Sequence, residues 1–206
     1  MALVFYHAPG TRSGSVRWLL EELGVPYEQR LVDIRADGGA PETYRAIQPS
    51  KKVPAIVHDG VAIHERAAIF AYLCDAYPQA GLAPPIGDPR RGPYLSWLVY
   101  NDAVIDPVLA AKFSGWTYEK LGVSFGAFED MVAHLEATLS RTPFLTGDTF
   151  TAADMLVGGG INFAVRIAKS IPETPALGGF LARTVGRPSF ASYLTADRAL
   201  QQASGA

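Results

Sequence analysis

The sequence predicts an α/β domain of order β-α-β-α-β-β-α, followed by an all-helical domain. Three observations carry this expectation. Residues 55–58 and 61–63 are apolar stretches rich in branched side chains, and the Asp59-Gly60 pair between them is the strongest short hairpin signal. Residues 78–93 hold five of the fifteen prolines together with three glycines, a composition that breaks regular structure and marks a linker. Beyond it, apolar residues recur at helical spacing and no second run of strand signals appears.

Taken in order, residues 2–6 form a short apolar run bounded by Pro9-Gly10 and read as a buried strand. Val16, Leu19, Leu20 and Leu23 then fall on one helical face, with Gly24 as the stop and Pro26 beyond it. Residues 27–34 contain a second strand, and residues 42–47 a turn or two of helix ended before Pro49. Val53-Pro54 places a residue without a backbone N–H at the first position of the third strand, where the missing donor is tolerated. After the hairpin, Glu65-Arg66 opens a helix whose apolar face carries Ile69, Phe70 and Leu73. The expected domains are 1–78, a linker 79–93, and a helical domain 94–206 with helices over 94–115, 125–139, 152–168 and 176–185. Within it Thr151 and Asp154 have the spacing of a capping box, Phe150 is placed to staple onto Met155, and Gly158-Gly159-Gly160 points to close helix packing or a tight bend.

The totals narrow the function. With 206 residues, 49% apolar and 18% charged, the chain has material for a sizeable core. A formal net charge of −2 and no block of Lys and Arg argue against nucleic acid or an anionic membrane as the main partner. The N-terminus lacks the pattern of a signal peptide and no apolar run reaches ~20 residues, so a soluble cytoplasmic protein is expected. Cys74 is the single cysteine, which removes an internal disulfide and a CxxC redox pair, and it reads as a packed thiol. His7, His58, His64 and His134 lack metal-ligand spacing, so no metal site is expected.

Two polar features bracket the hairpin. The first turn of the helix at Glu65-Arg66 presents unsatisfied N–H groups and a partial positive charge beside a carboxylate and a guanidinium, a site suited to a small zwitterion. On the other side, the loop HAPGTRSGS carries Thr11, Ser13 and Ser15 before the first helix, and Tyr6 closes the first strand. Each has a plain structural role available: the hydroxyls can cap the helix and Tyr6 can fill a core.

The run VPAIV, then DG, then an acidic residue opening a helix that continues AIFAYL, resembles the glutathione-binding half of the cytosolic glutathione transferases, whose first domain is thioredoxin-like. The resemblance implies a cis Pro54, backbone pairing of Val53 with the cysteinyl unit of glutathione, and Glu65 and Arg66 at the γ-glutamyl end. Serine is usual at position 66, so Arg66 keeps the backbone N–H and loses the hydroxyl, while its guanidinium is suited to a carboxylate. Lys52, with Lys51 and Gln48 beside it, is the expected partner of the glycyl carboxylate, and Arg12 is a further candidate for that carboxylate or the sulfur. A thiol with pKa near ~8.5 needs about 2.7 kcal/mol to lose two units, and one hydrogen bond to an anion supplies about 1.5 to 3 kcal/mol. The expected donor is Thr11 first, then Ser13, then Tyr6, which lies near the tyrosine of the tyrosine-type classes. Position 12, near the cysteine of the cysteine-type classes, is Arg here, which argues against a mixed disulfide.

The activity implied is addition of the glutathione thiolate to a small apolar electrophile, a detoxifying transferase acting as a homodimer. The acceptor is expected between the domains, with Tyr100, Val104, Phe113 and Trp116 as candidates. A glutathione-binding module without catalysis, and a specialised isomerase, dehalogenase or peroxide reductase on the same scaffold, are the rival readings.

Overall fold

A computed structural model of the chain describes residues 2–204. By internal contacts it divides into two units, one of residues 1–80 with 188–206 and one of residues 81–187.

The first unit is built on a four-stranded mixed sheet of order β2-β1-β3-β4, with β1 at Leu3–His7, β2 at Glu28–Leu31, β3 at Ala55–His58 and β4 at Val61–His64. β1 pairs parallel with β2 and antiparallel with β3, which pairs antiparallel with β4 around Asp59-Gly60. Both hairpin residues have positive φ, 48° and 85°, as a tight two-residue turn demands. Successive side chains of β1 alternate between the faces: Leu3, Phe5 and His7 are buried on one, and Val4 and Tyr6 lie on the other. Phe5 stands opposite Ile56 of β3, facing the apolar sides of α1 (Gly14–Leu23) and α2 (Arg66–Ala76), where Val16, Leu19, Ile69, Phe70 and Leu73 are fully buried. The other face is covered by Tyr44 from a 3-10 turn at Glu42–Ala46, clustered with Val32, Ala40 and Ala55 against Tyr6 and Val53. Gly24 ends α1 with φ 64°, its N–H bonded to the Leu20 carbonyl.

The last helix, α8 (Pro188–Ser204), belongs to this first unit and packs along α1. The sequence placed those residues in the helical domain, so the division differs there, and the reason is Trp18. Its indole is buried against Phe190 and Tyr193 (centroids 4.8 and 6.2 Å), and its Nε1–H donates to Ser189 Oγ at 2.9 Å. Gly14 permits the approach, since a Cβ there would lie 3.1 Å from the Tyr193 ring.

The second unit is helical: α3 (Arg91–Tyr100), α4 (Asp106–Ser114), α5 (Phe128–Leu139), α6 (Ala152–Asn162) and α7 (Pro175–Thr184). A π-type stretch at Asn101–Ile105 joins α3 to α4, so the single helix expected over 94–115 is one path of chain with a widened turn inside it. A second such stretch, Phe163–Ile167, follows α6. α6 is the centre of the unit, with residues 152–158 buried. The capping box forms: Asp154 Oδ2 accepts from the Thr151 N–H at 2.7 Å and hydroxyl at 2.9 Å, and Oδ1 accepts from the Leu145 N–H at 2.8 Å. Burial still pushes this carboxyl up to about 6. Phe150 meets Phe144 edge-on and lies under the Arg187 guanidinium. Of the glycine triplet, Gly158 explains itself: a Cβ would sit 3.0 Å from Thr184 Oγ1, so the missing side chain lets α6 and α7 close up. Among the described residues no helix is long and apolar enough to cross a membrane.

Candidate active site

The sheet register brings three stretches, far apart in sequence, to one end. Ala55 pairs with Tyr6 on one side and with His64 on the other. One residue further along each strand come His7, Pro54 and Glu65, so the loop after β1, the Val53-Pro54 bond and the start of α2 share that end of the sheet. The Val53-Pro54 peptide is cis and Pro54 is buried. Glu65 caps α2 with φ 69° and ψ 124°, a conformation that side-chain-bearing residues rarely adopt. Such strain persists where surrounding structure imposes it, and sites that grip a ligand are its usual setting. Its exposed carboxylate lies 3.5 Å from His64 Nδ1, and its carbonyl accepts the Ile69 N–H that begins the helix.

Lys51 and Lys52 part company in the structure. The Lys51 ammonium is committed to Glu42 at 2.8 Å and the Gly38 carbonyl at 3.0 Å. Lys52 is exposed, its N–H donating to Gln48 Oε1 at 3.1 Å and its carbonyl accepting from Tyr44 Oη at 3.1 Å. Gln48 is thus a buried clamp on the strand entry, and Lys52 is left at the surface beside Val53.

In the loop before α1, Arg12 is exposed, Thr11 half-buried and Ser13 fully buried. Ser13 occupies the N-cap position of α1, yet its hydroxyl does not cap the helix. Its Oγ lies 2.8 Å from His7 Nδ1, 2.7 Å from Thr11 Oγ1 and 3.1 Å from the Ala8 carbonyl, and accepts from the Ala8 N–H at 3.2 Å. Thr11 Oγ1 lies 2.7 Å from the Ala8 carbonyl and accepts the Ser13 N–H at 3.2 Å. The N–H groups of Gly14 and Ser15 are bonded to the Thr11 and Arg12 carbonyls, so α1 offers an anion its field more than these particular donors. Ser15 donates back to the Arg12 carbonyl. Tyr6 points to the opposite face from His7, its ring 5.4 Å from Tyr44 and its hydroxyl 3.5 Å from Arg30 Nη1. The three hydroxyl candidates therefore divide: Thr11 is half-buried, Ser13 is fully buried behind it, and Tyr6 stands across the sheet.

Two residues join this network that sequence reasoning did not place there. His7 Nε2 is 2.8 Å from Asp197 Oδ1 of α8, an ion-pair distance. Asp197 Oδ2 accepts from the Gly10 N–H and from Gln201 Nε2, each at 2.9 Å. Burial raises the Asp197 carboxyl, but His7, Gly10 and Gln201 outweigh it and hold the group below the usual carboxylate range. The signal for His7 was its place in the inward series Leu3, Phe5, His7; nothing in the sequence pointed from there to a carboxylate 190 positions on.

The acceptor candidates lie in the second unit. The Tyr100 ring is packed against Trp97 and His134 (5.3 and 5.2 Å), and burial, aided by Asp130, pushes its phenol up. Val104 is half-buried in the π-type stretch. Phe113 and Trp116 are exposed, and Phe113 meets Phe163 edge-on at 5.7 Å. Cys74 is buried within α2.

The four-stranded sheet with its cis proline, flanking helices and following helical unit is the architecture of a thioredoxin-like domain joined to an all-α region. The family model for the glutathione S-transferase N-terminal domain matches residues 5–81. Glutathione S-transferase 3 of Schizosaccharomyces pombe is 35% identical over 110 residues, a match spanning 53% of this chain and 45% of that protein. Glutathione S-transferase GST-4.5 of Xanthomonas campestris pv. campestris is 25% identical over 93% of this chain and 97% of its own length. A glutathione transferase homologue from Sulfitobacter, solved with bound glutathione, superposes with a TM-score of 0.71 at 27% identity, covering 93% of this chain and 96% of that one. Residues 5–81 thus match a glutathione S-transferase N-terminal domain, and the chain over nearly its whole length is similar to glutathione transferases in sequence and fold.

Proposed function

We propose that this protein binds glutathione at the shared sheet end and transfers its thiolate to a small apolar electrophile. The observation that carries the reading is the convergence there of the cis Val53-Pro54 bond, the strained Glu65 at the start of α2 and the Thr11 hydroxyl. Val53 would pair with the cysteinyl backbone, Glu65 and Arg66 would hold the γ-glutamyl end, and exposed Lys52, with Arg12, would meet the glycyl carboxylate. The strand pairing sets this order, because Ala55 pairs with His64 and so brings the adjoining Val53-Pro54 and Glu65 to one end of the sheet.

Thr11 is favoured over Ser13 as donor to sulfur because Ser13 is fully buried and Thr11 is not. Ser13, fully buried, acts behind it. To serve a thiolate, Thr11 exchanges a carbonyl acceptor for an anion, and hydrogen bonds to charged groups are about twice as strong as neutral ones. The remaining gain comes from proximity once an electrophile is held. Exposed Phe113 and Trp116, with Val104, are the proposed acceptor contacts; Tyr100 supports them through its packing. The proposal extends to a cytoplasmic homodimer with a detoxifying role.

Calorimetric titration with glutathione, followed by conjugation of a chlorinated nitroaromatic, tests the reading. Saturable binding with turnover is expected; folded protein that takes up no glutathione would refute it. Glutathione uptake without turnover of any electrophile would favour the binding module, a reading supported by the inward bonds of both Thr11 and Ser13.

A further inference from the structure

We propose that Asp197 and His7 are positioning residues: by fixing where the imidazole carries its protons they set the direction in which the Ser13 and Thr11 hydroxyls donate. The proposal rests on the reading of Thr11 as donor to the glutathione sulfur. It follows from counting protons over the three shortest contacts; the longer one, Ser13 Oγ to the Ala8 carbonyl at 3.1 Å, competes with His7 and Thr11 for the Ser13 proton. The short contacts are His7 Nδ1 to Ser13 Oγ at 2.8 Å, Ser13 Oγ to Thr11 Oγ1 at 2.7 Å, and Thr11 Oγ1 to the Ala8 carbonyl at 2.7 Å. Only two hydroxyl protons and the ring proton are available to fill them, and the Ala8 carbonyl can only accept.

The Asp197 carboxylate beside Nε2 favours a proton on that nitrogen. In the neutral ring Nδ1 is then an acceptor, and the 2.8 Å contact is filled by the Ser13 proton pointing inward. Thr11 must now choose between Ser13 Oγ and the Ala8 carbonyl, so its one proton is contested. When Nδ1 also carries a proton, the chain reverses. His7 donates to Ser13, Ser13 donates to Thr11, and Thr11 donates onward to the Ala8 carbonyl or, with glutathione present, to sulfur. Each contact then holds one proton, and each donor is polarised by the one behind it. The positive ring adds charge of the right sign on the same line.

The residue types match a Ser-His-Asp hydrolytic triad, but the ring is reversed. In that triad serine meets Nε2 and aspartate Nδ1. Here Ser13 is also fully buried, so acyl transfer is not the use of this set. Asp197 faces His7 from α8, where Tyr193 and Arg198 are the neighbouring titratable groups. Arg12 in the loop, and Glu65 and Arg66 on α2, stand at the same sheet end.

Asp197→Asn separates positioning from mere packing. The amide oxygen can still accept from Gly10 and Gln201, while its NH2 donates to Nε2 and moves the ring proton to Nδ1. Long-range 15N correlation spectra of the histidine rings, recorded without glutathione, should show the neutral His7 protonated on Nε2 in the wild type and on Nδ1 in the variant. A wild-type neutral ring protonated on Nδ1, or an unchanged tautomer in folded Asp197→Asn, overturns the proposal. If that variant does not fold, the wild-type spectrum alone decides. Should glutathione not bind, the functional reading fails while the ring spectra still judge the positioning claim.

Discussion

Replacing Thr11 with valine removes one oxygen and keeps the branched shape, so the change isolates the hydroxyl. If Thr11 donates to the bound thiolate, the loss is that of one hydrogen bond to a charged acceptor, about 1.5 to 3 kcal/mol. At 1.36 kcal/mol per unit this raises the pKa of the bound thiol by about 1 to 2 units, and below that pKa the thiolate fraction falls by about 10- to 100-fold. The variant also leaves the Ser13 N–H without its 3.2 Å acceptor and the Ser13 hydroxyl without its 2.7 Å neighbour, so a stability loss of about 1 to 2 kcal/mol should accompany it. Thr11→Ser should restore both. The assay is the absorbance of enzyme-bound thiolate against pH, with conjugation rate measured in parallel and circular dichroism as the check on folding. A bound-thiol pKa unchanged in Thr11→Val, or one that rises in Tyr6→Phe instead, would refute the assignment.

Glu65→Gly should relieve the positive-φ strain and raise stability by about 1 kcal/mol while weakening glutathione binding through loss of the carboxylate; denaturant unfolding and calorimetry read the two effects, and a variant that binds as well as the wild type would remove Glu65 from the site. Asp154 ties stability to pH in the opposite sense to most acids. Its native pKa is raised to about 6, so between about pH 4 and 6 the folded chain keeps a proton that the unfolded chain has lost, and stability falls as pH rises through that window. The two units amount to about 3 kcal/mol, and Asp154→Asn should flatten the slope; equal slopes in urea titrations across that range would show the carboxyl is not responsible. Lys52→Ala should weaken glutathione binding several-fold with little effect on stability, since its ammonium is exposed, whereas Lys51→Ala should loosen the Gly38 and Glu42 contacts and leave affinity nearly unchanged; calorimetry showing the reverse pattern would exchange their roles.

Much of the first unit was legible because its signals are local. Asp59-Gly60 names its own turn, Gly24 its own helix stop, and Thr151 with Asp154 its own cap; each needs only a few neighbouring residues to act. The hairpin boundaries at 55–58 are accordingly those of the structure, and β4 runs one residue beyond the expected 61–63. The second strand, Glu28–Leu31, lies within the expected 27–34, and Val32 beyond it joins the Tyr44 cluster. The helical periodicity over 94–115 and 152–168 was visible, but the π-type stretches within those spans were not: a single widened turn moves the hydrogen bonds by one residue without altering which side chains are apolar.

Local chemistry along the chain therefore determined the order of elements, the hairpin, the caps and the small set of residues able to grip a tripeptide, since these depend on neighbours a few positions apart. Tertiary structure alone decided that α8 returns to the first unit, that Ser13 is buried while Thr11 is not, and that Asp197 stands 2.8 Å from His7. The first and last arise from packing between segments far apart in the chain, Trp18 against Phe190 and Tyr193 and His7 against Asp197, while Ser13 is enclosed by His7, Ala8 and Thr11. Burial of that kind is set by the shape of the whole assembly of side chains, so no short window of sequence contains it.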